Sequence, residues 1–344
     1  MRLLLLLFLG LFISCTAEKS SKETAKDNQS ITLYTHRHYD TDKAIIKKFE
    51  DKTGITVNVV KASADELMQK LESEGDQSPA DLLMTVDAGR LVRAKEMGLL
   101  QSVESDFLTT TIPEQFRDSD NNWFSLTKRA RVIVYDKNRV NADELSTYEA
   151  LTDAKWNNKI LIRSSGNIYN QSLMASIIAN KGKENAKIWA EGMVNNFART
   201  PKGNDRDQVK AILAGEGDLA IVNTYYIGNM INSEDPNEVE AGNAISIFFP
   251  NQAGEGTHIN VSGIGITKYA PNKKAAIEFV EFLASKEIQE LFAEANYEYP
   301  VNPNAESSEL LKSWGSFKED SLALAKLGEL NKEAVITFDE VGWK

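Results

Sequence analysis

The chain has 344 residues, of which 42% are hydrophobic and 26% are charged, and its net charge is −11 at pH 7. This composition is typical of globular proteins, and the length is enough for two domains. An acidic chain lacks the basic face that broad binding to nucleic acid requires, so nucleic acid is excluded as a partner. Beyond the N-terminus no run of 18 or more apolar residues occurs, so the sequence predicts no later membrane span.

The first 15 residues have the pattern of an export signal. Arg2 precedes an apolar run over residues 3–13, which is typical of a secretory signal peptide rather than a membrane span. Residues 12–15 resemble the lipobox of bacterial lipoproteins, which implies that Cys15, the only cysteine, is lipidated. The alternative is a plain signal peptide that happens to contain a cysteine. The polar residues 16–30 predict a flexible tether between membrane and domain.

After the tether, strands alternate with helices. Three short β-rich runs each precede a segment whose apolar residues recur at helical spacing. The predicted strands are residues 31–35, 55–60 and 81–86, and the predicted helices are 41–52, 64–74 and 88–97. This alternation indicates βαβ units and a parallel sheet that is covered by helices on both faces.

Residues 123–136 break this alternation. They end in a long β-rich segment with no helix after it, which indicates that the chain leaves one lobe for another. The β-rich residues 259–266 then return the chain to the first lobe. We therefore predict lobe one from residues 31–130 and 262–344, and lobe two from residues 131–261. Two crossings make a hinge, and a cleft between two hinged α/β lobes is typical of periplasmic-type binding proteins.

The remaining predicted elements complete the two lobes. In lobe two the predicted strands are residues 159–163, 219–223 and 245–249, and the predicted helices are 171–180, 185–196, 205–214 and 226–232. Helices at 273–284 and 286–295 are predicted to complete lobe one, and the last forty residues are predicted to form a polar helical appendage. The predicted fold class is thus α/β, with each lobe a mixed, mostly parallel sheet flanked by helices.

Four tyrosines lie where predicted strands end and helices begin. They are Tyr39, Tyr169 and the adjacent pair Tyr225 and Tyr226. In open α/β sheets ligands bind outside the carboxyl ends of the strands, so these side chains are expected to share one crevice. A phenol has an ordinary pKa near 10 and ionises at neutral pH only for a strong Lewis acid. Ferric ion is such an acid and prefers hard oxygen anions, although any single tyrosine here has the alternative of a simple packing role.

Histidine and arginine complete the candidate site. His38 beside Tyr39 is a candidate ligand through a neutral ring nitrogen, whereas His36 is interpreted as a loop residue beside the site. The chain has 3 histidines and no second cluster with zinc-ligand spacing, which argues against zinc. Ferric ion with four phenolates and a neutral imidazole carries one net negative charge, which is costly to bury without a cation nearby. Arginines 131 and 206 are possible partners for this charge, and the residues that we select for the charge-balancing role are Arg37, Arg129 and Arg199.

These motifs resemble those of the ferric-ion-binding proteins of bacterial iron ABC importers, the Fbp and Fut type. Such proteins have the type 2 periplasmic binding fold that transferrin lobes share. The resemblance covers nearly the whole mature chain, and its most specific segments are residues 37–42, 128–135, 164–173, 197–208, 223–228 and 339–343. It implies that the metal ligands are His38, Tyr39, Tyr169, Tyr225 and Tyr226.

The resemblance also implies a way of working. The protein would be a monomeric lipoprotein of the periplasm or cell surface that captures Fe³⁺ between its lobes and delivers it to an ABC permease with its ATPase. Some relatives bind iron together with a carbonate or phosphate ion and others do not, so a synergistic anion is left open here.

Two other classes of function are weighed against this one. A binding protein of the same fold for a polyamine, thiamine or a phosphonate would use aromatic walls with carboxylates, or a helix N-terminus for phosphate. Such sites do not require tyrosines at strand ends. An enzyme is disfavoured because the sequence has no Gly-rich nucleotide loop, nucleophile elbow or zinc-hydrolase helix motif. We therefore expect a transport protein and not an enzyme.

Overall fold

The computed structural model describes residues 29–37 and 39–344. The predicted signal peptide with Cys15, most of the predicted tether, and His38 lie outside these residues and remain predictions. Ser30, which lies in the predicted tether, is the first residue of a strand. In the part of the chain that the structure describes, no helix has both the length and the apolar character needed to cross a membrane.

The described residues form a mixed α/β fold. The strands are β1 (Ser30–Thr35), β2 (Thr56–Lys61), β3 (Leu82–Val86), β4 (Phe124–Asp136), β5 (Ile160–Leu161), β6 (Leu219–Asn223), β7 (Ile245–Phe248), β8 (Ile259–Ile266) and β9 (Tyr299–Pro300). The α-helices before the second crossing are α1 (Asp40–Thr53), α2 (Ala64–Glu74), α3 (Ala88–Glu96), α4 (Asp106–Thr111), α5 (Ile168–Lys181), α6 (Lys183–Asn196), α7 (Asp205–Leu213), α8 (Thr224–Ile231) and α9 (Pro236–Ala244). Those after it are α10 (Lys273–Ala284), α11 (Lys286–Ala295), α12 (Glu309–Ser313), α13 (Ala325–Glu329) and α14 (Asn331–Val341).

The strands form a continuous mixed sheet with the order β2-β1-β3-β8-β4-β6-β5, and β7 and β9 also pair with β4. The βαβ pattern of the sequence is found at both ends of this sheet, because β1 is parallel to β2 and β3, and β5 is parallel to β6. At the centre β4 and β8 run antiparallel to each other and to their other neighbours. The sheet is therefore mixed, as predicted, but parallel pairs are in the minority. The reason is that one strand carries the chain out of lobe one and the other carries it back.

β4 belongs to both lobes. It pairs with β8 as far as Ala130, and from Arg131 onward it pairs with β6. Nearly all of its 13 residues are buried, as expected for a strand that is covered on both faces. Because β8 returns the chain beside β4, these two strands form the hinge between the lobes.

Apolar packing fixes the strand ends on each side of the hinge. In lobe one Phe49 of α1 lies 4.8 Å from Phe279 of α10, measured between ring centroids. In lobe two Trp189 and Met193 of α6 are both buried, at the i,i+4 spacing that places two side chains on one helix face. Both lobes therefore present their strand ends to the cleft from a rigid packed core.

The last two helices extend the C-terminal segment from lobe one onto lobe two. α14 lies against α5 and α6, and α13 lies between α3 and α5. The ring of Trp343 is buried against Phe338 and Phe197, at centroid distances of 4.7 and 4.8 Å. The predicted assignment of residues 262–344 to lobe one is therefore wrong for α14, whereas α13 contacts both lobes. The apolar side of α14 covers α5 and α6, so this helix is not the polar appendage that the sequence predicts.

Candidate metal centre

The four tyrosines occupy equivalent places in the two lobes. Tyr39 follows β1 and immediately precedes α1. Tyr169 is the second residue of α5, and Tyr225 and Tyr226 are the second and third residues of α8, which follows β6 directly. Each side chain therefore lies between the end of a strand and the first turn of a helix, where ligands bind in open α/β folds.

The tyrosines converge across the cleft. The hydroxyl oxygens of Tyr169 and Tyr225 are 3.2 Å apart. The rings of Tyr225 and Tyr226 lie 4.3 Å apart between centroids, and the ring of Tyr39 approaches that of Tyr225 edge-on at 6.3 Å. All four line one cavity of about 870 Å³. Phenols from both lobes thus meet in a single space.

The environment keeps protons on three of these phenols in the absence of a metal. Burial is the largest cause that raises the pKa of Tyr39, Tyr225 and Tyr226 above the ordinary phenol value. The neighbouring phenol of Tyr169 adds to the rise in each case, because two phenolates would repel each other. A cation that binds here must therefore be a strong enough Lewis acid to displace protons from the hydroxyl groups.

Three arginines surround the ring of Tyr169. The guanidinium carbons of Arg129, Arg131 and Arg163 lie 5.5, 5.8 and 5.5 Å from its centroid. Arg131 and Arg163 both pair with the buried carboxylate of Asp205, at 2.9 and 3.3 Å. This cluster carries more positive than negative charge, so it offsets negative charge that accumulates on the phenol oxygens.

Arg129 differs from its two neighbours because, among the residues that the structure describes, no carboxylate oxygen lies within 4.0 Å of its guanidinium nitrogens. It is 1% exposed, and its one described side-chain hydrogen bond runs from Nη1 to Ser262 at 3.5 Å. Its Nε and Nη2 atoms have no hydrogen-bond partner among the described residues. Its charge still acts on two buried carboxylates: it opposes the burial that raises the pKa of Asp87, and with Arg37 it lowers the pKa of Glu298 against the effect of burial. A further anion nearby stabilises this buried cation more.

The other predicted arginines have different positions. Arg37 is buried between Asp42 and Glu298, with nitrogen–oxygen distances of 3.1 Å to each, and lies 4.8 Å over the ring of Tyr39. Its charge is therefore already neutralised, and it orients Tyr39. Arg199 does not line the cavity: it pairs with Glu216 in a separate surface groove. The geometry does not support its charge-balancing role.

Several residues of the site were missed from the sequence. Arg163 ends the predicted strand 159–163, so the strand-end rule that selected the tyrosines also applied to it. Asp205 and Glu298 are fully buried carboxylates whose partners lie far away in sequence, and nothing local marks them. Arg206, which the sequence already offered as a partner for the charge, lines the cavity at its rim and pairs with Glu238 at 3.0 Å.

Histidine contributes less to the described site than phenol does. His38 lies outside the described residues, and its assignment as a ligand stays a prediction. His36 lines the cavity, and its backbone N–H donates to the carbonyl of Met84 at 3.3 Å. His258 is buried beneath the site, where burial and the charges of Arg131 and Arg129 lower its pKa to about 3. Within the described ranges no group of three or more His, Cys, Asp and Glu side chains is arranged to hold a metal ion.

Two hinged α/β lobes around a polar cleft define a solute-binding protein. The chain belongs to the family described as bacterial extracellular solute-binding protein, which matches residues 44–319. It is 48% identical over 322 residues to Iron uptake protein A1 of Synechocystis sp., covering 94% of this chain and 89% of that protein. It is 47% identical to Iron uptake protein A2 of the same organism, covering 94% and 92%.

A solved structure from Trichodesmium, described as IdiA or FutA in complex with iron and citrate ligands, is also similar. The sequence identity is 50% and the TM-score is 0.88, and the match covers 92% of this chain and 100% of that one. The match extends over both lobes, so it bears on the whole described fold.

Proposed function

We propose that this chain is an extracytoplasmic binding protein that captures Fe³⁺ in the cleft between its lobes. The observation that carries the proposal is the convergence of four phenols from both lobes on one cavity. The names of its relatives, iron uptake proteins at 47% and 48% identity, agree with this function. Hard oxygen anions are the ligands that a small trivalent cation prefers.

The proposed ligands divide unequally between the lobes. Lobe one supplies Tyr39 and, by the sequence prediction, His38, whereas lobe two supplies Tyr169, Tyr225 and Tyr226. Each phenol loses its proton to bind, because only the phenolate is a strong ligand. Four phenolates and a neutral imidazole leave one negative charge on the complex.

Arginine offsets that charge. Arg129 has no carboxylate within 4.0 Å among the described ion pairs and lies 5.5 Å from the ring of Tyr169. Arg163 shares its carboxylate with Arg131, so this pair also contributes positive charge. The guanidinium groups stay charged at any pH at which the protein is folded, which makes the compensation permanent.

The later steps of transport belong to the same proposal. The closed protein would dock on an ABC permease, and opening of the lobes would release the ion to it. Lipidation at Cys15 would hold the protein at the membrane outside the cytoplasm. Its role is binding and delivery rather than catalysis.

The test is titration of the metal-free protein with ferric citrate. Phenolate bound to Fe³⁺ absorbs visible light by charge transfer, so the solution is expected to turn red and the protein to unfold at a higher temperature. The double variant Tyr225→Phe, Tyr226→Phe is expected to remain colourless while its fold is retained. Tyr269→Phe is the matched control, because Tyr269 is 47% exposed and does not line the cavity.

A different outcome would favour the alternative class of ligand. A protein that stays colourless with ferric citrate, with unchanged thermal stability, does not bind iron in this way. A polyamine, thiamine or a phosphonate that raised the unfolding temperature under the same conditions would then identify the cargo.

A further inference from the structure

The helix that carries Tyr225 and Tyr226 makes a close contact with lobe one. One turn after these tyrosines, the Cα of Gly228 is covered by the ring of Tyr297, which lies between α11 and β9 in lobe one. A Cβ atom at position 228 would be 2.4 Å from Cγ of Tyr297 and 2.5 Å from its Cβ. Such distances do not occur between real atoms, so only glycine allows the ring to approach this closely.

The conformation of Tyr297 also favours a defined contact. Its φ is 55°, in the left-handed region that residues with a side chain seldom adopt. A non-glycine residue stays there only where its surroundings hold it. The ring is held against Gly228, and its chain neighbours are fixed as well: Asn296 and Glu298 are buried and joined by a hydrogen bond of 2.7 Å.

Asn229 reinforces this contact between the lobes. Its Nδ2 atom donates to the carbonyl of Tyr225 at 2.8 Å within α8, and to the carbonyl of Asn296 in lobe one at 3.4 Å. The same side chain lines the cavity that holds the tyrosines. The contact thus joins the first turns of α8 to the segment that precedes β9.

The segment on the lobe-one side leads to Tyr39. The carboxylate of Glu298 binds the guanidinium of Arg37, which lies 4.8 Å over the Tyr39 ring. Tyr225 and Tyr226 are therefore attached directly to one side of the contact, and Tyr39 is attached through two ion-paired residues to the other. The distance between the lobes at Gly228 fixes how closely the two sets of phenols approach.

We propose that Tyr297 and Gly228 form an interlobe stop that sets the depth of cleft closure and so positions Tyr39 against Tyr225. Both are positioning residues, since neither Gly228 nor Tyr297 lines the cavity that the phenols share. The inference rests on the proposed capture of iron, because it assigns a role in closing the same site. It goes further by predicting that a methyl group added outside the ligand set, on the lobe contact, controls iron retention.

The experiment compares iron loss from the full chain and its Gly228→Ala variant. Both are loaded with ferric citrate, and the decay of the visible band is followed after excess chelator is added. The added methyl group is expected to keep the lobes apart and to accelerate iron loss at least about tenfold, a usual effect of disturbing residues that support metal ligands. The radius of gyration of the iron-loaded variant is expected to exceed that of the iron-loaded parent.

Two further variants separate closure from simple damage to the fold. Gly228→Ala combined with Tyr297→Gly removes the ring that the methyl group strikes, and the rate of iron loss is expected to return toward that of the parent. Gly192→Ala creates a similar clash inside lobe two, since its Cβ would lie 2.6 Å from Thr152. This control is expected to lower thermal stability without changing the rate of iron loss.

The outcomes are distinguishable. If the parent protein binds no iron, the proposed function is refuted, and the interlobe stop is refuted with it. If the parent binds iron and Gly228→Ala loses it at the same rate, the stop is refuted. Equal acceleration in Gly228→Ala and Gly192→Ala, or no recovery in the double variant, would refute it as well.

Discussion

Iron binding is expected to release protons from the protein in a number that the site determines. Burial keeps the pKa of Tyr39, Tyr225 and Tyr226 above the ordinary phenol value, so all three hydroxyls are protonated in the metal-free protein at pH 7. Each one that becomes a ligand loses one proton. These three residues alone therefore account for three protons per bound ion.

The affinity follows from the same count. Each proton displaced lowers the apparent affinity about tenfold for every unit of decrease in pH, which is about 1.4 kcal/mol. Protons compete with the metal, so binding weakens as the pH falls. With three displaced protons, the apparent affinity for iron falls about a thousandfold for each unit of decrease in pH. The protonation of the competing chelator reduces this effect and is corrected for separately.

The decisive comparison is between the parent protein and Tyr39→Phe. Both are titrated with ferric citrate in weakly buffered solution at pH 7, and the released acid is measured by back-titration. Citrate releases or binds the same number of protons in both samples. The difference in released protons therefore comes from the protein alone. Tyr39→Phe is expected to release one proton fewer than the parent, and Tyr269→Phe the same number. Equal release from Tyr39→Phe and the parent would refute phenolate binding by Tyr39.

Two other predictions concern single residues. Arg129→Met removes the buried cation nearest to Tyr169 without a paired carboxylate, so iron affinity in competition with citrate is expected to fall about ten- to a thousandfold, and Arg129→Lys is expected to lose less. An unchanged affinity in Arg129→Met would show that the charge is balanced elsewhere. Trp343→Ala removes a buried ring that packs on Phe197 and Phe338, and the free energy of unfolding in urea is expected to fall by about 3–5 kcal/mol. A loss below about 1 kcal/mol would contradict the packing role of the C-terminal residues.

The tyrosines could be located from the sequence because the rule that finds them is local. A β-rich run followed by a helical segment marks the junction, and Tyr39, Tyr169 and Tyr225 all lie at such junctions. The partner change in β4 could also be anticipated, since a long β-rich segment without a following helix has to continue elsewhere. These features depend on neighbours in the chain and on the direction of strands.

The charged residues around the phenols could not be located in this way. Arg163 and Asp205 are 42 residues apart, and Arg37 and Glu298 are 261 residues apart. Only the folded chain brings these pairs together. The periodicity of apolar residues along the sequence does not predict contacts between residues so far apart. Arg199 lies in a segment that resembles the family pattern, yet its side chain lines a groove separate from the cavity of the phenols. The position of α14 could not be predicted either, because its apolar residues cover α5 and α6 and no local pattern shows on which lobe a helix packs.

If the proposed ligands are divided unequally between the lobes, the ion and the closed form are expected to stabilise each other. Three of the proposed phenol ligands belong to lobe two, so an open protein presents an incomplete set of donors. Tyr39 joins that set only when the lobes approach. An ion that gains a ligand on closure binds the closed form more tightly than the open form, and this difference in affinity shifts the population toward closure. Any change that weakens the bond to Tyr39, including reduction of the metal, therefore favours opening and release together.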